Sequence, residues 1–519
     1  MKAHIVGGGF GGLAAAALLI RNAEVPGQDI TIYEADDKLG GGFFLGGSAA
    51  SGYNLPGSVF DKEFRCTFDL LRSMPSTRNP SMSVTDDFFA FNDGEPYHDR
   101  AHVFDRNGGI VNDPRFGLSL SDGLSLARFL LTPETMLDGR RIEEFFARRF
   151  FSTEFWLLWS TLMGSLPQHS AIEFRRYMNR FLYLFKDMSD MTGVMRTPLN
   201  QHQAFIEPLV KWLTPRGVNF ITGAFVKDIG FAPSPGRISV NRLDYERRGA
   251  ATAVAVAPQD IVLVTTGSQA ADMAPGSMTE APVPRPTGRS WALWQRLAQG
   301  RTDFGNPDVF FGADKIPDAL WVTFTVTDTG SEFVSQIAAR TGSKAGRGGL
   351  VTLRDSPWVL SLSIFHQPEI VDQPSGTSVW WGYGLYPDNT GEYVRKPMTA
   401  CTGAEILEET LKQLRFERFD SIMASSLCVP CYMPYVNNVW LTWHRGDMPP
   451  PVPESATNLG LIGQYVDMPR EIAFTIECSV RSAWEAIRTL LKRGPAPPPV
   501  YQAQYDPQAL FGALKVFLH

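Results

Sequence analysis

The chain has 519 residues, which is enough for two or three domains with a large buried core. Hydrophobic residues make up 44% of it and charged residues 20%, which is typical of a globular protein and excludes a mostly disordered one. A net charge of −6 without a basic block argues against a nucleic-acid partner. No uninterrupted apolar run reaches the roughly 18 residues that a membrane span needs.

The five cysteines are scattered and odd in number, which favours a reduced, cytoplasmic compartment. Cys428 and Cys431 have CxxC spacing, but a zinc site would need a second pair of ligands nearby, and a redox role would need a thioredoxin-like context. We therefore expect buried thiols and no metal site.

The first elements predict a dinucleotide-binding βαβ unit. An apolar strand, His4 to Val6, runs into Gly7, Gly9 and Gly12, and an alanine-rich helix follows. The first glycine allows a tight turn, the second lets the backbone approach a pyrophosphate, and the third lets helix and strand pack closely. The pyrophosphate would meet the free N–H groups at the helix N-terminus.

A carboxylate and a second glycine run make this pattern more specific. The strand Ile30 to Glu34 ends about twenty residues past the glycines, where a ribose hydroxyl would lie. Gly41 and Gly42 belong to a run of the kind that flavin proteins use close to their cofactor, so FAD is favoured over NAD. A signal peptide is the alternative reading of the apolar start, but a cleaved leader has no reason to match its glycine spacing to Glu34.

The region after the second glycine run differs in composition and in predicted structure. Asp61 to Arg72 predicts an amphipathic helix, and another helix is predicted over Gln168 to Phe185. Between them, the stretch from Phe145 to Leu162 is crowded with aromatic residues. Such a run could line a lipid pocket or fill a core, and the core is the simpler interpretation.

Alternating helices and strands return after residue 200. A helix is predicted over Phe205 to Leu213, and strands over residues 217–221 and 225–229, the second of which contains Val226. The strand over residues 260–268 is buried and ends in small polar residues, typical of a chain that returns to its cofactor. The cofactor contacts predicted from that strand are Thr266, Gly267 and Ser268.

The last strand and helix are also predicted to reach the flavin. The strand over residues 458–464 ends at Gly463 and Gln464, and a long helix covers residues 474–491. Pro469 and Thr475 lie in and just after the connection between them, and we expect both near the cofactor.

The fold class is therefore α/β, with a Rossmann-like FAD-binding domain, an inserted β-rich substrate domain and a helical subdomain. The FAD-binding domain is predicted to be discontinuous, over residues 1–56, 200–285 and 415–493. A helical substrate-channel region covers 57–199, and the β-rich substrate domain covers 286–414. Residues 494–519 form a stiff proline-rich linker and an amphipathic tail.

The tail predicts a helix with a large apolar face. Leu510, Phe511, Leu514, Phe517 and Leu518 recur at roughly helical spacing, so this face must dock on the protein or on a bilayer surface. Docking on the protein is the simpler interpretation.

Beyond these patterns, nearly the whole chain resembles the FAD-containing fatty acid (oleate) hydratases, also called the myosin-cross-reactive antigen family. The resemblance is carried by residues 68–75, 169–177, 349–358, 381–386, 396–403, 463–470 and 474–477. It implies a flavin that is required although no net electron transfer occurs, the reduced form being the more active one. It also implies an unsaturated fatty acid substrate with a cis double bond and a hydroxy fatty acid product, which is hydro-lyase chemistry.

The chain departs from this family at both positions that carry the reaction. The family's water-activating glutamate lies in an Arg-Gly-Gly-Arg-Glu-Met pattern, and Val59 stands at its place here. Its proton-donating tyrosine opens a Tyr-Asn-Gln-Tyr pattern, which reads Leu199, Asn200, Gln201 and His202 in this chain. Neither Val59 nor Leu199 can move a proton.

Replacement groups can be nominated, each with a plainer alternative. His202 is the best titratable candidate for acid or base work, and loop hydrogen bonding is the alternative. Asp61 and Glu63 could supply a catalytic carboxylate, but at a helix N-terminus they would more simply favour the helix dipole. The nominated substrate-binding residues, which could equally be an ordinary polar loop, are Gln201, Asn437, Asn438, Thr442 and His444.

Three functions follow from these observations. The first is an FAD-dependent hydratase of an unsaturated fatty acid or similar lipophilic substrate. The second is a double-bond isomerase or cyclase of an apolar polyene on the same fold, which the loss of both hydration groups would fit. The third is a non-catalytic lipid-binding flavoprotein. Because the chain starts at its first strand, without the extension that many longer family members use for dimer contacts, we expect a monomer. Peripheral membrane contact through the tail remains the alternative to docking of the tail on the protein.

Overall fold

The structure is a computed structural model that describes residues 1–94, 101–111, 116–187, 193–347 and 350–518. Gly349, within one of the family-like segments, and the side chains of Phe517 and Leu518 lie outside the described set. The first ten strands in chain order are β1 Ala3–Val6, β2 Ile30–Tyr33, β3 Gly46–Ser48, β4 Gly52–Asn54, β5 Phe60–Asp61, β6 Ala101–Phe104, β7 Ile110–Val111, β8 Val194–Met195, β9 Asn219–Ile221 and β10 Ala224–Ser234. The next ten are β11 Arg237–Arg247, β12 Ala250–Ala255, β13 Ile261–Thr265, β14 Ala274–Pro275, β15 Trp321–Asp328, β16 Leu350–Leu353, β17 Leu360–Ile364, β18 Ser378–Gly384, β19 Ser426–Met433 and β20 Leu459–Ile462.

Fourteen α-helices are formed by the described residues. They are α1 Phe10–Ala23, α2 Arg65–Leu71, α3 Val84–Gly94, α4 Leu120–Leu131, α5 Glu154–Met163, α6 Ala171–Phe181, α7 Glu207–Leu213, α8 Arg289–Ala298, α9 Ile316–Ala319, α10 Glu332–Thr341, α11 Gly403–Gln413, α12 Phe419–Ser425, α13 Ile476–Leu491 and α14 Pro507–Leu518. Among these residues, no helix combines the length and the hydropathy that crossing a membrane requires.

A five-stranded parallel sheet forms the nucleotide-binding half, in the order β20-β13-β1-β2-β9. Helix α1 covers it and packs against α13, near the other end of the chain. The alanines of α1, from Ala14 to Ala17, are fully buried, and their small side chains let the two helices and the sheet approach closely. The predicted strands at residues 260–268 and 458–464 are confirmed as β13 and β20.

The second sheet has eight strands, in the order β14-β19-β15-β18-β17-β16-β6-β7. It draws strands from residues 101–111 and 426–433, so it extends beyond the predicted range 286–414 on both sides. Strand pairing in this sheet thus joins segments that lie far apart in the sequence. Its central strands β15 and β18 carry Trp321, Trp381 and Tyr383, of which Trp321 stacks on Tyr383, and Tyr53 of β4 packs in the same hydrophobic cluster. We call these four residues the aromatic wall.

The aromatic run of the helical region fills a core. Phe150, Phe155, Trp156 and Trp159 are buried in one hydrophobic cluster, together with Phe174 of α6. The core interpretation of this run is therefore confirmed.

Three predicted helices differ at their boundaries. The helix expected over residues 61–72 begins only at Arg65, because Asp61 lies in β5 and its carboxylate accepts the N–H of Glu63 in a turn ahead of the helix. The helix expected over 168–185 is α6, which gives way to a 3₁₀ segment, Leu182–Asp187. The helix expected over 205–213 is preceded by a π-helical turn, His202–Ile206.

Candidate cofactor and active site

Four neighbouring parallel strands end at one edge of the five-stranded sheet. Gly7 follows β1, Glu34 follows β2, Thr266 follows β13 and Gly463 follows β20. The strand order reverses at β1, with β2 on one side and β13 on the other. Such a switch point at the carboxyl ends of the strands is where open α/β sheets bind ligands.

The three predicted glycines have different reasons to be glycine. Gly7 has a φ of 102°, and a Cβ there would overlap the side chain of Thr265. A Cβ on Gly12 would overlap the carbonyl oxygen of Gly7. At Gly9 the nearest described atom to an added Cβ is Gly41 Cα at 3.7 Å. Protein packing therefore requires Gly7 and Gly12 but leaves open space at Gly9.

That open space has the chemistry of a pyrophosphate cradle. Gly9 is the N-cap of α1, and no side chain among the described residues caps this helix, so its first N–H groups are available to an anion. Glu34 lies at the same edge, where its carboxylate accepts the N–H groups of Gly8 at 2.6 Å and Asp36 at 2.8 Å. Burial raises the pKa of Glu34, and these two bonds partly oppose the shift. The residues present fit FAD.

The other predicted cofactor residues surround this edge to different degrees. Gly267 has a φ of 101°, and a Cβ there would meet the ring of Phe311 at 2.7 Å. Three of the remaining residues form hydrogen bonds at the strand ends: Thr266 donates to the carbonyl of Ile462, the N–H of Gly463 donates to Ser482, and Thr475 caps α13. Val226 is buried on β10, and Ser268 and Gln464 are half-buried. Gly41 and Gly42, beside the cradle, and Pro469 are exposed.

His202 lies beside the second glycine run. Its Nδ1 is 2.9 Å from the carbonyl oxygen of Phe43, and a Cβ on Gly40 would come within 3.2 Å of the same nitrogen. Because a carbonyl can only accept, Nδ1 carries the hydrogen in the neutral ring, which leaves Nε2 as a lone-pair acceptor. This geometry suits a base.

Asp61 and Glu63 are bound in structural contacts. Asp61 is buried and accepts the hydroxyl of Tyr183 at 2.5 Å, with Arg180 at 3.5 Å. Burial raises the pKa of Asp61, and Arg180 opposes that shift. Glu63 pairs with Arg65 at 2.8 Å. Both residues lie ahead of helix α2, where Asp61 forms a turn and Glu63 forms an ion pair with Arg65.

Asp61 is one member of a buried ion network that the sequence analysis did not find. Arg481 donates to Glu471 and Glu477 at 2.9 Å each, and Arg180 lies 3.8 Å from Glu471. We call Asp61, Arg180, Glu471, Glu477 and Arg481 the ion network. Burial, and then the charge of Glu477, raise the pKa of Glu471 to about 7. The sequence signal was Glu477 and Arg481, an oppositely charged pair four residues apart on one helix.

The nominated substrate residues lie in separate surroundings. Gln201 is buried, and its Oε1 has no hydrogen-bond partner among the described residues. Asn437 donates to the carbonyl of Gly164, while its Oδ1 likewise has no partner there. Both polar atoms of the Asn438 amide are hydrogen-bonded, since Nδ2 donates to Phe310 O at 3.0 Å and Oδ1 accepts Tyr465 OH at 2.7 Å.

Thr442 and His444 follow on the next loop. The hydroxyl of Thr442 donates to the carbonyl of Gln168 at 3.3 Å. The side chain of His444 is 73% exposed and lies 3.8 Å from Asp138. His444 therefore lies at the protein surface.

The loop from Asn54 to Phe60 runs between the aromatic wall and β8. A Cβ on Gly57 would overlap the ring of Trp381, so the loop backbone lies against the wall. Phe60 pairs with Met195 in antiparallel register, which places Val59 next to Arg196. Leu199 is buried and lines a small cavity with Phe88. Both positions of the missing family groups thus carry an apolar side chain, although polar residues such as Arg78 and Asp87 also line the cavity at Leu199.

Comparisons with known proteins agree with this fold and site. The solved structure of cyclohexylamine oxidase from Brevibacterium oxydans IH-35A superposes with a TM-score of 0.57 at 14% identity, covering 95% of this chain and 98% of that one. Putrescine oxidase superposes with a TM-score of 0.54 at 10% identity, covering 95% and 99%. Identities this low concern the fold alone. They confirm the predicted class, an α/β protein with a Rossmann-like FAD-binding fold, and FAD is the cofactor that this fold and the cradle imply.

Sequence relatives identify the family. Residues 1–487 match the MCRA family. The chain is 31% identical over 532 residues to the oleate hydratase of Streptococcus pyogenes serotype M49 (strain NZ131), covering 99% of this chain and 89% of that protein. It is also 31% identical over 530 residues to the linoleate hydratase of Lactiplantibacillus plantarum, covering 93% and 92%. The chain belongs to the MCRA family, as its sequence motifs predicted.

Proposed function

We propose that the protein is an FAD-dependent, redox-neutral hydro-lyase that adds water to a carbon–carbon double bond of an unsaturated fatty acid or a similar lipophilic substrate. The observation that carries this proposal is the full-length similarity to two hydratases at 31% identity. The open cradle at Gly9 supports the cofactor part of the proposal independently.

The residues that would hold FAD are those of the cradle and the strand ends. Gly9 and the α1 N-terminus would take the pyrophosphate, and Glu34 would take a ribose hydroxyl. Thr266, Gly463 and the α13 cap Thr475 would meet the remainder of the cofactor. When bound, FAD supplies structure and electrostatic potential at the reaction site.

Hydration needs an acid for the alkene and a base for the water. We assign the base role to His202, whose Nε2 is the free acceptor of a ring already held by Phe43. Substrate binding would be dominated by the acyl chain, at about 0.8 kcal/mol per buried CH₂. The carboxylate head needs polar partners, because burying it unpaired costs more than one CH₂ returns. Gln201 and Asn437, each with an amide oxygen unbonded among the described residues, are candidates for positioning the head or the water.

A second reaction on the same fold, double-bond isomerisation or cyclisation, is favoured by one observation. Val59 and Leu199 replace the two groups that the family uses for hydration, and neither side chain can donate or accept a proton. Standard oleate hydration is therefore expected to be weak, since each lost acid or base is worth about 10²–10⁴ in rate. A lipid-binding flavoprotein without turnover is the remaining outcome.

Mass spectrometry separates these reactions. The FAD-loaded protein is given reduced flavin and a panel of unsaturated fatty acids and polyenes in ¹⁸O-labelled water. A hydratase yields products heavier by one labelled water, whereas an isomerase or cyclase yields products of unchanged mass. Bound but unconverted lipid would indicate a binding protein and overturn the enzyme proposal.

Two glycine variants test the cofactor assignment. Gly9→Val should fold, because its nearest described neighbour is 3.7 Å from the new Cβ, but should lose the flavin spectrum as the side chain fills the cradle. Gly12→Ala is the contrasting variant, because its Cβ would overlap the carbonyl oxygen of Gly7. We expect it to disrupt the packing of α1 and so to destabilise the whole protein. A folded Gly9→Val protein with normal flavin content would contradict the assignment.

We further propose peripheral contact with a lipid bilayer through α14. The helix docks on the protein through Ala509 and Ala513, while Leu510, Phe511 and Leu514 are exposed, which is the face predicted to dock. The docked face is thus the opposite of the predicted one, because small side chains let the helix pack closely against the protein.

Helix α4, which contacts α14, adds a second exposed apolar stripe. Leu120, Leu124 and Leu131 are exposed at helical spacing, and Leu131 is 83% exposed. Two adjacent stripes of this kind would suit a bilayer that delivers a lipid substrate.

The membrane proposal is tested by changing the exposed face only. Leu510, Phe511 and Leu514 are replaced together by serine, and binding to phosphatidylcholine–phosphatidylglycerol vesicles is measured by co-sedimentation. We expect the bound fraction to fall at least tenfold, because three large apolar side chains no longer insert. Val283→Ser, at an exposed site elsewhere, is the control. Unchanged co-sedimentation of the triple variant would exclude this contact.

A further inference from the structure

Glu369 is a buried acid held directly against the Leu199–His202 motif. The residue is 3% exposed, and its peptide oxygen accepts hydrogen bonds from the backbone N–H and the side-chain amide of Asn200, at 2.8 and 3.0 Å. Its own N–H donates to Gln373 Oε1 at 2.8 Å. Both sides of its backbone are thus fixed, and Asn200 ties it to the segment that carries His202.

The carboxyl group of Glu369 has little to balance a negative charge. No described residue donates a hydrogen bond to it, and Arg196 is the one charged group of the described chain that acts on it. Arg196 is engaged elsewhere as well, because its Nη1 donates to Ser363 Oγ at 2.6 Å. Burial outweighs this arginine and raises the pKa of Glu369 well above its usual range, which favours the protonated carboxyl.

The surroundings of Glu369 are those of the predicted reaction site. The next residue, Ile370, packs with Tyr53 and Trp381 of the aromatic wall. Arg196 lies on the other side, next to Val59 through the β5–β8 pairing. Glu369 is therefore joined through Asn200 to the motif of His202, and its chain neighbour Ile370 packs in the cluster of the aromatic wall, whose ring faces favour positive charge.

We propose that Glu369 is the group that protonates the substrate double bond, a role that rests on the proposed hydration. The O–H bond of the carboxylic acid breaks, and its proton forms a C–H bond at one alkene carbon. Water oxygen bonds to the other carbon and gives its proton to His202 Nε2. Solvent then takes that proton from His202 and returns one to the Glu369 carboxylate, so the net reaction consumes one water and leaves both residues as they began.

The test uses the FAD-loaded full chain in ¹⁸O-labelled water, with the unsaturated fatty acid of the panel that the wild type hydrates fastest. Glu369→Gln keeps the size of the side chain but cannot donate an acidic proton, so kcat should fall by about 10²–10⁴ with KM and flavin content near wild type. Glu369→Asp keeps the acid on a shorter arm, and its kcat should fall at least about fivefold, which also covers the case that the glutamine variant does not fold.

Glu409→Gln is the matched control. Glu409 is also a fully buried carboxyl, but it accepts the N–H groups of Glu392, Tyr393 and Val394, far along the chain from the motif. This variant should lose stability and keep kcat. A drop in kcat equal to that of Glu369→Gln would show that buried-acid removal acts through stability alone and would overturn the proposal.

An infrared measurement provides a readout that is independent of turnover. The wild type should show a carboxylic acid C=O band at neutral pH that Glu369→Gln lacks. Absence of such a band in the difference spectrum overturns the acid role. If wild type hydrates fatty acids and Glu369→Gln does so at the same rate, the assignment of Glu369 is wrong while the proposed function stands. If wild type hydrates none, the proposed function fails first and this role fails with it.

Discussion

The ion network and Glu369 are both buried acidic sites, but they differ in how their charge is balanced. In the network, Glu477 accepts two hydrogen bonds from Thr67 and one from Cys66 besides its bond with Arg481. Glu369 has Arg196 nearby and no described hydrogen-bond donor on its carboxyl oxygens. A carboxylate with a full set of donors holds elements together, because removing it leaves partners unpaired. A buried acid without such donors favours its protonated form, and it can transfer that proton.

The largest effect is expected from removing the cation that balances the network. Arg481→Met would leave Glu471 and Glu477 buried without their common partner, which should lower the free energy of unfolding by about 3–5 kcal/mol. Urea unfolding measures this loss. Arg488→Met, an exposed arginine on the same helix that lies 3.9 Å from Glu485, is the control and should change stability by less than about 0.5 kcal/mol. If both variants lost the same unfolding free energy, the ion network would not be the structural site that this comparison takes it to be.

Glu173 is an intermediate case that sharpens the comparison through pH. Its Oε2 has no described partner, because nearby Arg176 binds Glu134 and Asp467, and burial raises the pKa of Glu173 from 4.5 to about 7. Between these pH values the unfolded chain releases the proton that the folded chain keeps. Stability should therefore fall as pH rises through this window, by up to about 3 kcal/mol.

Glu173→Gln isolates this contribution. The variant has no proton to release at this position, so its unfolding free energy should depend less on pH between 4.5 and 7. Glu471 still contributes its own slope in both proteins. Unfolding curves at several pH values in this window check the difference, and parallel pH profiles for wild type and variant would contradict it.

The smallest effect is expected at Asp61, and it tests whether the network is structural. The network holds three carboxyl groups and two arginines, so it has one acidic group more than it has basic groups. Asp61→Asn removes one charge but keeps an oxygen for Tyr183 and Glu63, so stability should change by only about 1 kcal/mol. The value of kcat should stay within about threefold of wild type. A loss of kcat near 10² would make Asp61 a catalytic group and end the distinction between the two sites.

The cofactor half could be predicted from sequence because its signals are local. The spacing of Gly7, Gly9 and Gly12 and the distance to Glu34 follow from one βαβ unit. The ion network could not, because Thr67 and Glu477 are 410 residues apart and only the tertiary fold brings them together. The same holds for Glu369, whose partner Asn200 lies 169 residues away.

The tail illustrates a different limit. Periodicity predicted the α14 helix, but it assigned the docked face to the large apolar residues such as Phe511. The structure docks the face of Ala509 and Ala513 instead. A hydrophobic pattern shows that two faces differ, and packing density decides which one is buried.

The strand order of the five-stranded sheet has a consequence for synthesis of the protein. Strand β1 leaves the ribosome about 450 residues before β20 and α13, which complete its sheet and cover α1. At about 5–20 residues per second, that interval lasts about 20–90 s. During this time the apolar strand and the alanine-rich helix lack their final cover, so nascent chains of this protein should depend on chaperones, and flavin uptake should wait until β20 and α13 have been synthesised.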